Sequence, residues 1–239
     1  MADVSDTIVR RKLSHEVFDR LKTLITSGEL GPGDALPSER DLMERFGVGR
    51  PAIREAMQAL ANIGLIAITH GERARVQQLS ARSLFQQVDL TAQILLSASP
   101  DSLEHLKQAR RFFERGMVRE AAQRATAEDV TRLRDILDQQ AKAVEEPKQF
   151  IAYDMRFHTQ IAAISGNPIF EAVSESMLSW LRQYYTEMLT WSGRENVTLV
   201  EHAQIIDHIA GHDPDSAEAI MVKHLDRSSA LFARQGATG

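Results

Sequence analysis

The sequence contains no cysteine and few aromatic residues. The lack of cysteine excludes disulfide bonds and thiolate metal sites, and it suits a reducing cytosol. Aromatic residues make up 6% of the chain, and Pro and Gly are sparse after residue 71, which favours helices over a β-sandwich. No apolar run approaches the roughly 20 residues that span a bilayer. The first residues also lack the apolar segment of a secretion signal, so we expect a cytoplasmic protein without membrane association.

Negative charge is confined to the second part of the chain. Residues 1–79 contain 11 Lys plus Arg and 11 Asp plus Glu, whereas residues 80–239 contain 17 and 22. A neutral first part lacks the basic surface of a non-specific nucleic-acid binder. Any DNA-binding interpretation therefore depends on where individual arginines lie.

The first 46 residues predict two helices separated by a loop. Apolar residues recur at helical spacing over about 13–27. Residues 27–37 then contain three glycines and two prolines, which end that pattern. Ser38, with Asp41 three residues later, forms an acidic variant of the capping box and begins the second helix.

The next segment predicts a turn, a third helix and a hairpin. Gly47-Val48-Gly49 marks the turn, and Pro51 suits the first turn of a helix. Two short β-like runs flank His70-Gly71 and predict a hairpin. Helix, helix, turn, helix and hairpin is the layout of a winged helix-turn-helix. The alternative is a small α+β domain with an arginine-bearing surface helix.

The third helix has one apolar and one charged face. Ile53, Met57 and Leu60 form the apolar face, while Arg50 and Arg54 lie one turn apart on the other. An α-helix fits the major groove, where arginine binds guanine O6 and N7 in a bidentate fashion. Arg50 and Arg54 are therefore predicted to contact DNA, and Gly49 would let the backbone approach it closely.

The chain is helical in pattern from residue 80 onward. We expect a mainly α protein in which residues 1–79 form the DNA-binding domain and residues 80–239 form an all-helical bundle. Thr126 with Asp129, and Asp213 before Pro214, mark helix starts. The predicted helices cover residues 83–97, 102–125, 127–143, 147–164, 169–190, 197–210 and 214–233.

Four residues of the second part could bind a metal ion. Asp154 and His158 are four residues apart and share a helix face, while His202 and His224 lie on two later helices. One carboxylate and three imidazoles suit Zn²⁺ or a similar first-row ion with positions left open. The alternatives are an ordinary surface Asp–His pair and a metal-dependent hydrolase that activates water.

Several motifs resemble one family of bacterial regulators. "PSERDLM", "VGRPAIREA" and "GERARV" in the first part are similar to the DNA-binding domain of the GntR family, FadR subfamily. "DMRFH" and "SGNPIF" in the second part are similar to the ligand-sensing domain of that subfamily, called FCD. The resemblance implies a transcriptional regulator, most simply a repressor, that binds operator DNA as a homodimer. The residues that it and the helix pattern assign to DNA are Arg40, Gly49, Arg50, Arg54, His70 and Gly71.

The resemblance also implies an effector site. The subfamily carries the same Asp, His, His and His set, which favours a divalent ion, Zn²⁺, at Asp154, His158, His202 and His224. A carboxylate effector would bind the ion, and the resemblance implies a sugar acid such as N-acetylneuraminate. Arg110 or Arg111 would bind the acid, unless it forms an ion pair with Glu114. Asn167 would contact the effector or cap a helix.

Overall fold

The computed structural model describes residues 12–99, 101–188 and 195–235. The chain divides into two compact units, with the boundary between Gln87 and Val88. None of the described helices is long and apolar enough to cross a membrane.

The first unit is a winged helix-turn-helix, as predicted. Its elements are α1 (Leu13–Thr26), α2 (Glu39–Phe46), α3 (Arg50–Asn62), β1 (Ile66–Ala67) and β2 (Arg75–Val76). The two strands pair antiparallel, with Ile66 opposite Val76 and Ala67 opposite Arg75. Ala35 forms an additional bridge to Arg75. This bridge ties the loop that precedes α2 to the hairpin.

Local signals in the sequence position α2 and α3. The Ser38 hydroxyl accepts a hydrogen bond from the Asp41 N–H at 3.2 Å, and the Asp41 carboxylate accepts one from the Ser38 N–H at 3.1 Å. This capping box satisfies two N–H groups that would otherwise lack partners at the start of α2. Gly47 ends α2 with a φ of +66°, a backbone conformation that favours glycine.

The apolar faces of the three helices and the hairpin enclose one core. Ile53 and Leu60 of α3 pack with Leu21 of α1 and Leu42 of α2. All four side chains are fully buried. The face of α3 that carries Arg50 and Arg54 is therefore the face left to solvent.

The second unit is helical throughout its described residues, as predicted. Its helices are α4 (Ala81–Ser97), α5 (Asp101–Arg124), α6 (Ala127–Lys142), α7 (Pro147–Ile164), α8 (Pro168–Met188), α9 (Glu195–Ala210) and α10 (Pro214–Gln235). The unit boundary falls within α4, eight residues beyond the boundary predicted from the sequence. Residues 189 and 190 of the predicted 169–190 helix lie outside the described residues.

The predicted helix starts are confirmed in the second unit. Thr126 and Asp129 form a reciprocal capping box at the start of α6. Asp213 accepts a hydrogen bond from the Ser216 N–H at 3.1 Å at the start of α10. These caps fix where α6 and α10 begin, and both helices contribute residues to the core.

The core of the second unit surrounds a polar centre. Phe157 of α7 and Ile205 of α9 are fully buried, and Met221 of α10 packs with them. The ring of Phe157 stacks on the ring of His202 with a centroid separation of 3.9 Å. His158, His202 and His224 are buried within this apolar shell. Burying a polar group without a hydrogen-bond partner lowers the stability of the fold. The contacts of these three histidines therefore indicate what the centre can bind.

We predict that Ser38→Ala destabilises the first unit by about 1 kcal/mol, because it removes the N-cap of α2. Thermal unfolding followed by circular dichroism measures the change in the transition of that unit. Thr26→Ala is the control, because it removes an exposed hydroxyl whose hydrogen bond is a longer 3.3 Å. An equal effect of both substitutions would contradict the assigned role of the cap.

Candidate functional site

The four predicted metal ligands lie together in the second unit. One ligand atom from each of Asp154, His158, His202 and His224 lies within 4.8 Å of the others. Helix α7 supplies the first two residues, α9 supplies His202 and α10 supplies His224. The three histidines are buried and Asp154 is half-buried. We call this set the Asp–His cluster.

Two ring nitrogens that face Asp154 have no hydrogen-bond partner among the described residues. They are His158 Nε2 and His202 Nε2, and both are buried. His202 Nε2 lies 3.5 Å from Asp154 Oδ1, and His158 Nε2 lies 3.9 Å from Asp154 Oδ2. A buried polar atom without a partner costs about 1–3 kcal/mol. Such atoms that converge on one point therefore indicate a ligand.

Gln140 of α6 orients two members of the cluster at once. Its Oε1 lies 2.8 Å from His202 Nδ1, and its amide Nε2 donates to Asp154 Oδ1 at 3.3 Å. Since an amide oxygen only accepts, Nδ1 of His202 carries the proton and Nε2 offers its lone pair. Gln140 is itself fully buried.

Glu201 of α9 orients the ring of His224. Its Oε2 lies 3.0 Å from His224 Nδ1, so that nitrogen donates to the carboxylate. Arg227 donates to the same oxygen from Nη2 at 2.7 Å and from Nε at 2.9 Å. Arg227 also donates to Thr198 Oγ1 at 3.0 Å. The buried carboxylate is thus balanced by a guanidinium.

Glu114 of α5 is the partner of His158. Its Oε2 contacts His158 Nδ1, and its Oε1 accepts from Nε of the buried Arg110. Each histidine therefore has an oxygen at Nδ1, an arrangement that fixes the tautomer and ring orientation of metal-binding histidines.

The pKa values match these roles. Burial lowers the pKa of His202 well below its ordinary value, and the repulsion from His224 or His158, if either were protonated, acts in the same direction. Burial also lowers the pKa of His224, although its bond to Glu201 acts in the opposite direction. Both shifts favour the neutral imidazole, which is the form that binds metals.

The two supporting carboxylates remain ionised. Burial acts to raise the pKa of Glu114, but the charges of Arg110 and His158 outweigh it and lower the pKa to about 2. Burial likewise acts to raise the pKa of Glu201, but hydrogen bonds from His224 and Arg227 lower it to about 2. Ionised carboxylates only accept hydrogen bonds, so they hold the protons on the Nδ1 atoms.

The Asp–His cluster fits a divalent first-row ion. Zn–N and Zn–O bonds of about 2.0–2.2 Å place two ligand atoms at most roughly 4.4 Å apart. The 3.5 and 3.9 Å separations fall within that span, and the whole set needs a shift of only a few tenths of an ångström. Three imidazoles and one carboxylate suit Zn²⁺ or a similar ion, whose identity the cluster alone does not fix.

The residues predicted to bind the effector occupy different places. Arg110 forms the ion pair with Glu114 that was its alternative role, but the pair is buried and not on the surface. The charge of Arg110 also contributes to the lowered pKa of both His202 and His224. Arg111 instead pairs with Asp226 at 2.6 Å and is 42% exposed. The Asn167 oxygen accepts from the Ile169 N–H at 3.0 Å and caps α8. Of the three, Arg110 is linked to the Asp–His cluster, because its partner Glu114 also contacts His158.

The predicted DNA-binding residues are exposed on the first unit. Arg54 Nε donates to Glu39 Oε1 at 2.8 Å, and Arg50 Nε lies 3.6 Å from Glu39 Oε2. Arg40 pairs with Glu44 at 3.1 Å one turn along α2. Gly49 is the N-cap of α3.

The wing carries the other two predicted DNA-binding residues. His70 and Gly71 lie exposed in the turn between β1 and β2. Gly71 has a φ of +80°, which a side chain at that position would disfavour.

Two family models match the chain in the same order as the two units. The model for bacterial regulatory proteins of the gntR family matches residues 13–76, and the FCD domain model matches residues 105–227. The chain belongs to the GntR family. This result confirms the family expected from the sequence motifs.

Curated GntR-family relatives extend over nearly the whole chain. The HTH-type transcriptional repressor NanR of Escherichia coli (strain K12) is 39% identical over 237 residues, which cover 98% of this chain and 89% of that protein. The protein of the same name from Klebsiella aerogenes is 40% identical over 232 residues, or 96% and 88% of the two chains. The chain is accordingly a transcriptional repressor of the GntR family with an FCD domain, and not an enzyme.

Solved structures support the fold. The chain aligns with the Streptococcus agalactiae GntR protein at a TM-score of 0.64 and 23% identity, over 90% of this chain and 98% of that one. It aligns with E. coli McbR/YncC at a TM-score of 0.53 and 18% identity, over 95% and 99%. At these identities the likeness concerns the fold alone.

The sequence did not reveal the residues that support the cluster. Gln140 lies on a helix that supplies no cluster residue, and only the folded chain brings it to His202 and Asp154. Arg227 and Glu201 carried a weak signal, since Arg227 follows His224 by one helical turn and Glu201 directly precedes His202. Charged residues at such spacings are common on solvent-exposed helix faces.

We predict that Gln140→Met weakens Zn²⁺ binding by about 10–100-fold, because it removes the partners of His202 Nδ1 and Asp154. Competition with a chromophoric chelator measures the Kd for Zn²⁺. Gln139→Met is the matched control, because the side chain of Gln139 is exposed while that of its neighbour Gln140 is buried. A Kd changed equally by both substitutions would contradict the supporting role of Gln140.

Proposed function

We propose that this repressor binds operator DNA as a homodimer and is released by a small carboxylate effector that binds a divalent ion at the Asp–His cluster. The proposed ion is Zn²⁺, and the proposed effector is a sugar acid such as N-acetylneuraminate. The observation that carries the effector half is the convergence of buried, partnerless His158 Nε2 and His202 Nε2 beside Asp154.

The charge of the site supports an anionic effector. Neutral histidines and one carboxylate would leave a bound divalent ion with a net charge of +1. The nearby acids do not cancel it, because Glu114 is paired with Arg110 and Glu201 with Arg227. A bound ion with open positions supplies a Lewis-acid contact for a carboxylate oxygen.

Arg110 is the proposed second contact for the acid. It is buried, it lies on α5 beside the Glu114–His158 pair, and its charge reaches His202 and His224. Guanidinium groups bind carboxylates in a planar, bidentate fashion. Arg111 and Asn167, with Asp226 and the α8 cap as partners, remain proposed effector contacts with less support.

The extent of the match supports testing first the acid that the sequence motifs imply. NanR names a repressor 39% identical to this chain across almost its whole length. N-acetylneuraminate is therefore the first acid to test.

The proposed DNA contacts come from α2, α3 and the wing of the first unit. Helix α3 would enter the major groove with Arg50 and Arg54 toward base edges, and Arg40 would contact the same groove or its phosphates. Gly49 leaves space for a close backbone approach, and His70 and Gly71 at the wing tip would enter the minor groove.

Homodimerisation links the two halves of the proposal. Two helices α3 related by a two-fold axis would meet two operator half-sites. Apolar side chains of α4, namely Leu90, Ile94 and Leu95, are more than 60% exposed and offer surface for a second copy. The effector must bind the DNA-free arrangement better than the DNA-bound one, because only differential affinity shifts an equilibrium.

We predict that Arg54→Ala weakens binding to the preferred duplex by roughly 1–3 kcal/mol per half-site, because a bidentate base contact is lost. A duplex selected from a random library by the wild-type protein serves as the probe in a gel-shift titration. Arg124→Ala is the control, since it removes an exposed arginine that pairs with Glu120 in the second unit. Unchanged affinity of Arg54→Ala would refute the assignment.

We predict that N-acetylneuraminate stabilises the zinc-loaded protein and that His202→Gln abolishes the effect. At 100 times Kd a ligand stabilises by about 2.7 kcal/mol, which raises Tm by roughly 5–10 °C for a protein of this size. Thermal-shift measurement with added acid gives the change.

His105→Gln is the matched control, because His105 is an exposed histidine on α5. It should retain the full shift. A shift that persists in His202→Gln would contradict the cluster as the effector site. A shift with another carboxylate, but none with N-acetylneuraminate, would contradict only the choice of acid.

A further inference from the structure

One carboxylate of α2 lies between the two arginines of α3. Glu39 Oε1 accepts a hydrogen bond from Arg54 Nε at 2.8 Å, and Glu39 Oε2 lies 3.6 Å from Arg50 Nε. The Glu39 side chain is 32% exposed, whereas those of Arg50 and Arg54 are 60% and 64% exposed. Each carboxylate oxygen therefore faces one guanidinium at its Nε.

Within the described residues, Glu39 is the acidic partner of both arginines. The two arginines of α2 have other partners, since Arg40 pairs with Glu44 and Arg45 pairs with Glu29. Glu39 begins α2, where an acidic side chain is favoured by the helix dipole. The dipole explains an acid at this position, but it does not explain why the carboxylate bridges two side chains of another helix.

A partner at Nε constrains how an arginine can meet a base. The guanidinium is a rigid planar fork with five N–H donors, of which Nε supplies one. When a carboxylate holds Nε, the plane of the fork is fixed and the terminal nitrogens remain for guanine O6 and N7. Without that contact the exposed arginines sample many rotamers, and each can meet phosphates as readily as base edges.

The same carboxylate opposes binding to DNA in general. A negative charge on a surface that faces phosphates weakens affinity for every duplex. Exposed ion pairs also contribute little to the stability of a fold. A carboxylate that lowers the affinity for every duplex but orients the arginines for base contact increases the difference in affinity between the preferred sequence and all others. That difference in affinity is the sequence selectivity.

We propose that Glu39 is a positioning residue that sets the sequence selectivity of the repressor by holding Arg50 and Arg54 for base contact. The inference rests on the proposed function of these arginines in reading DNA. Loss of this role changes the ratio of the affinity for the preferred duplex to the affinity for a shuffled duplex. A purely structural or purely electrostatic role would leave that ratio unchanged.

The test compares Glu39→Ala with Glu39→Gln in the full-length protein. The probes are a duplex selected from a random library by the wild type and a shuffled duplex of the same composition. Both substitutions remove one negative charge, but glutamine keeps an acceptor for Arg54 Nε. We expect Glu39→Ala to bind the shuffled duplex several-fold more tightly and to lose about tenfold in the affinity ratio. Glu39→Gln should lose less of the ratio.

Glu55→Ala is the charge control on α3, because Glu55 pairs with Lys12 at 3.9 Å and not with either arginine. It should change both affinities by the same factor and leave their ratio intact. Thermal unfolding of each variant checks that the first unit is folded before its DNA affinity is compared.

Two results would overturn the role of Glu39. One is a parallel change of both affinities in Glu39→Ala, as in Glu55→Ala, while Arg54→Ala loses the preferred duplex. The other is reselection with Glu39→Ala that returns a new base at one position with undiminished selectivity, since Glu39 would then read that base itself. Retention of the preferred duplex by Arg54→Ala would instead contradict the proposed function of the arginines.

Discussion

The second unit depends on one costly arrangement, the burial of three imidazoles in an apolar core. Each unsatisfied buried polar atom costs about 1–3 kcal/mol. The protein offsets this cost at Nδ1 with Glu114, Gln140 and Glu201, but it leaves Nε2 of His158 and His202 without a partner beside Asp154. Five helices, α5, α6, α7, α9 and α10, contribute to the arrangement. A site of this construction is preorganised for a cation, since its ligands are oriented by contacts within the protein.

Each unit carries the residues of one half of the proposed function. The first presents arginines on the outer face of α3, because its apolar face is buried against α1 and α2. The second encloses the Asp–His cluster, which we propose binds a divalent ion and, through it, an acid. In both units carboxylates orient the functional groups: Glu39 faces two arginines, and Glu114 and Glu201 face two histidines. In the proposed function, these acidic residues would position the side chains that contact DNA and ligand without contacting either themselves.

Local signals in the sequence predicted most of the fold. The Ser38–Asp41 and Thr126–Asp129 capping boxes gave helix starts, because a cap is formed by residues three apart. The Asp154–His158 spacing gave one face of the cluster for the same reason. The approach of Gln140 to His202 and of Glu39 to Arg54 joins different helices, and periodicity carries no information on such contacts. The sequence predicts the domain boundary where continuous helical periodicity begins, whereas the division between the units falls inside helix α4.

We propose that the Asp–His cluster is the metal site of the repressor. The most direct measurement is an anomalous difference map from a crystal grown with Zn²⁺, collected on both sides of the zinc absorption edge. We expect a strong peak bounded by Asp154, His158, His202 and His224, with each histidine bound through Nε2. A map with no peak there, or with zinc bound only at surface residues such as His105, would contradict it.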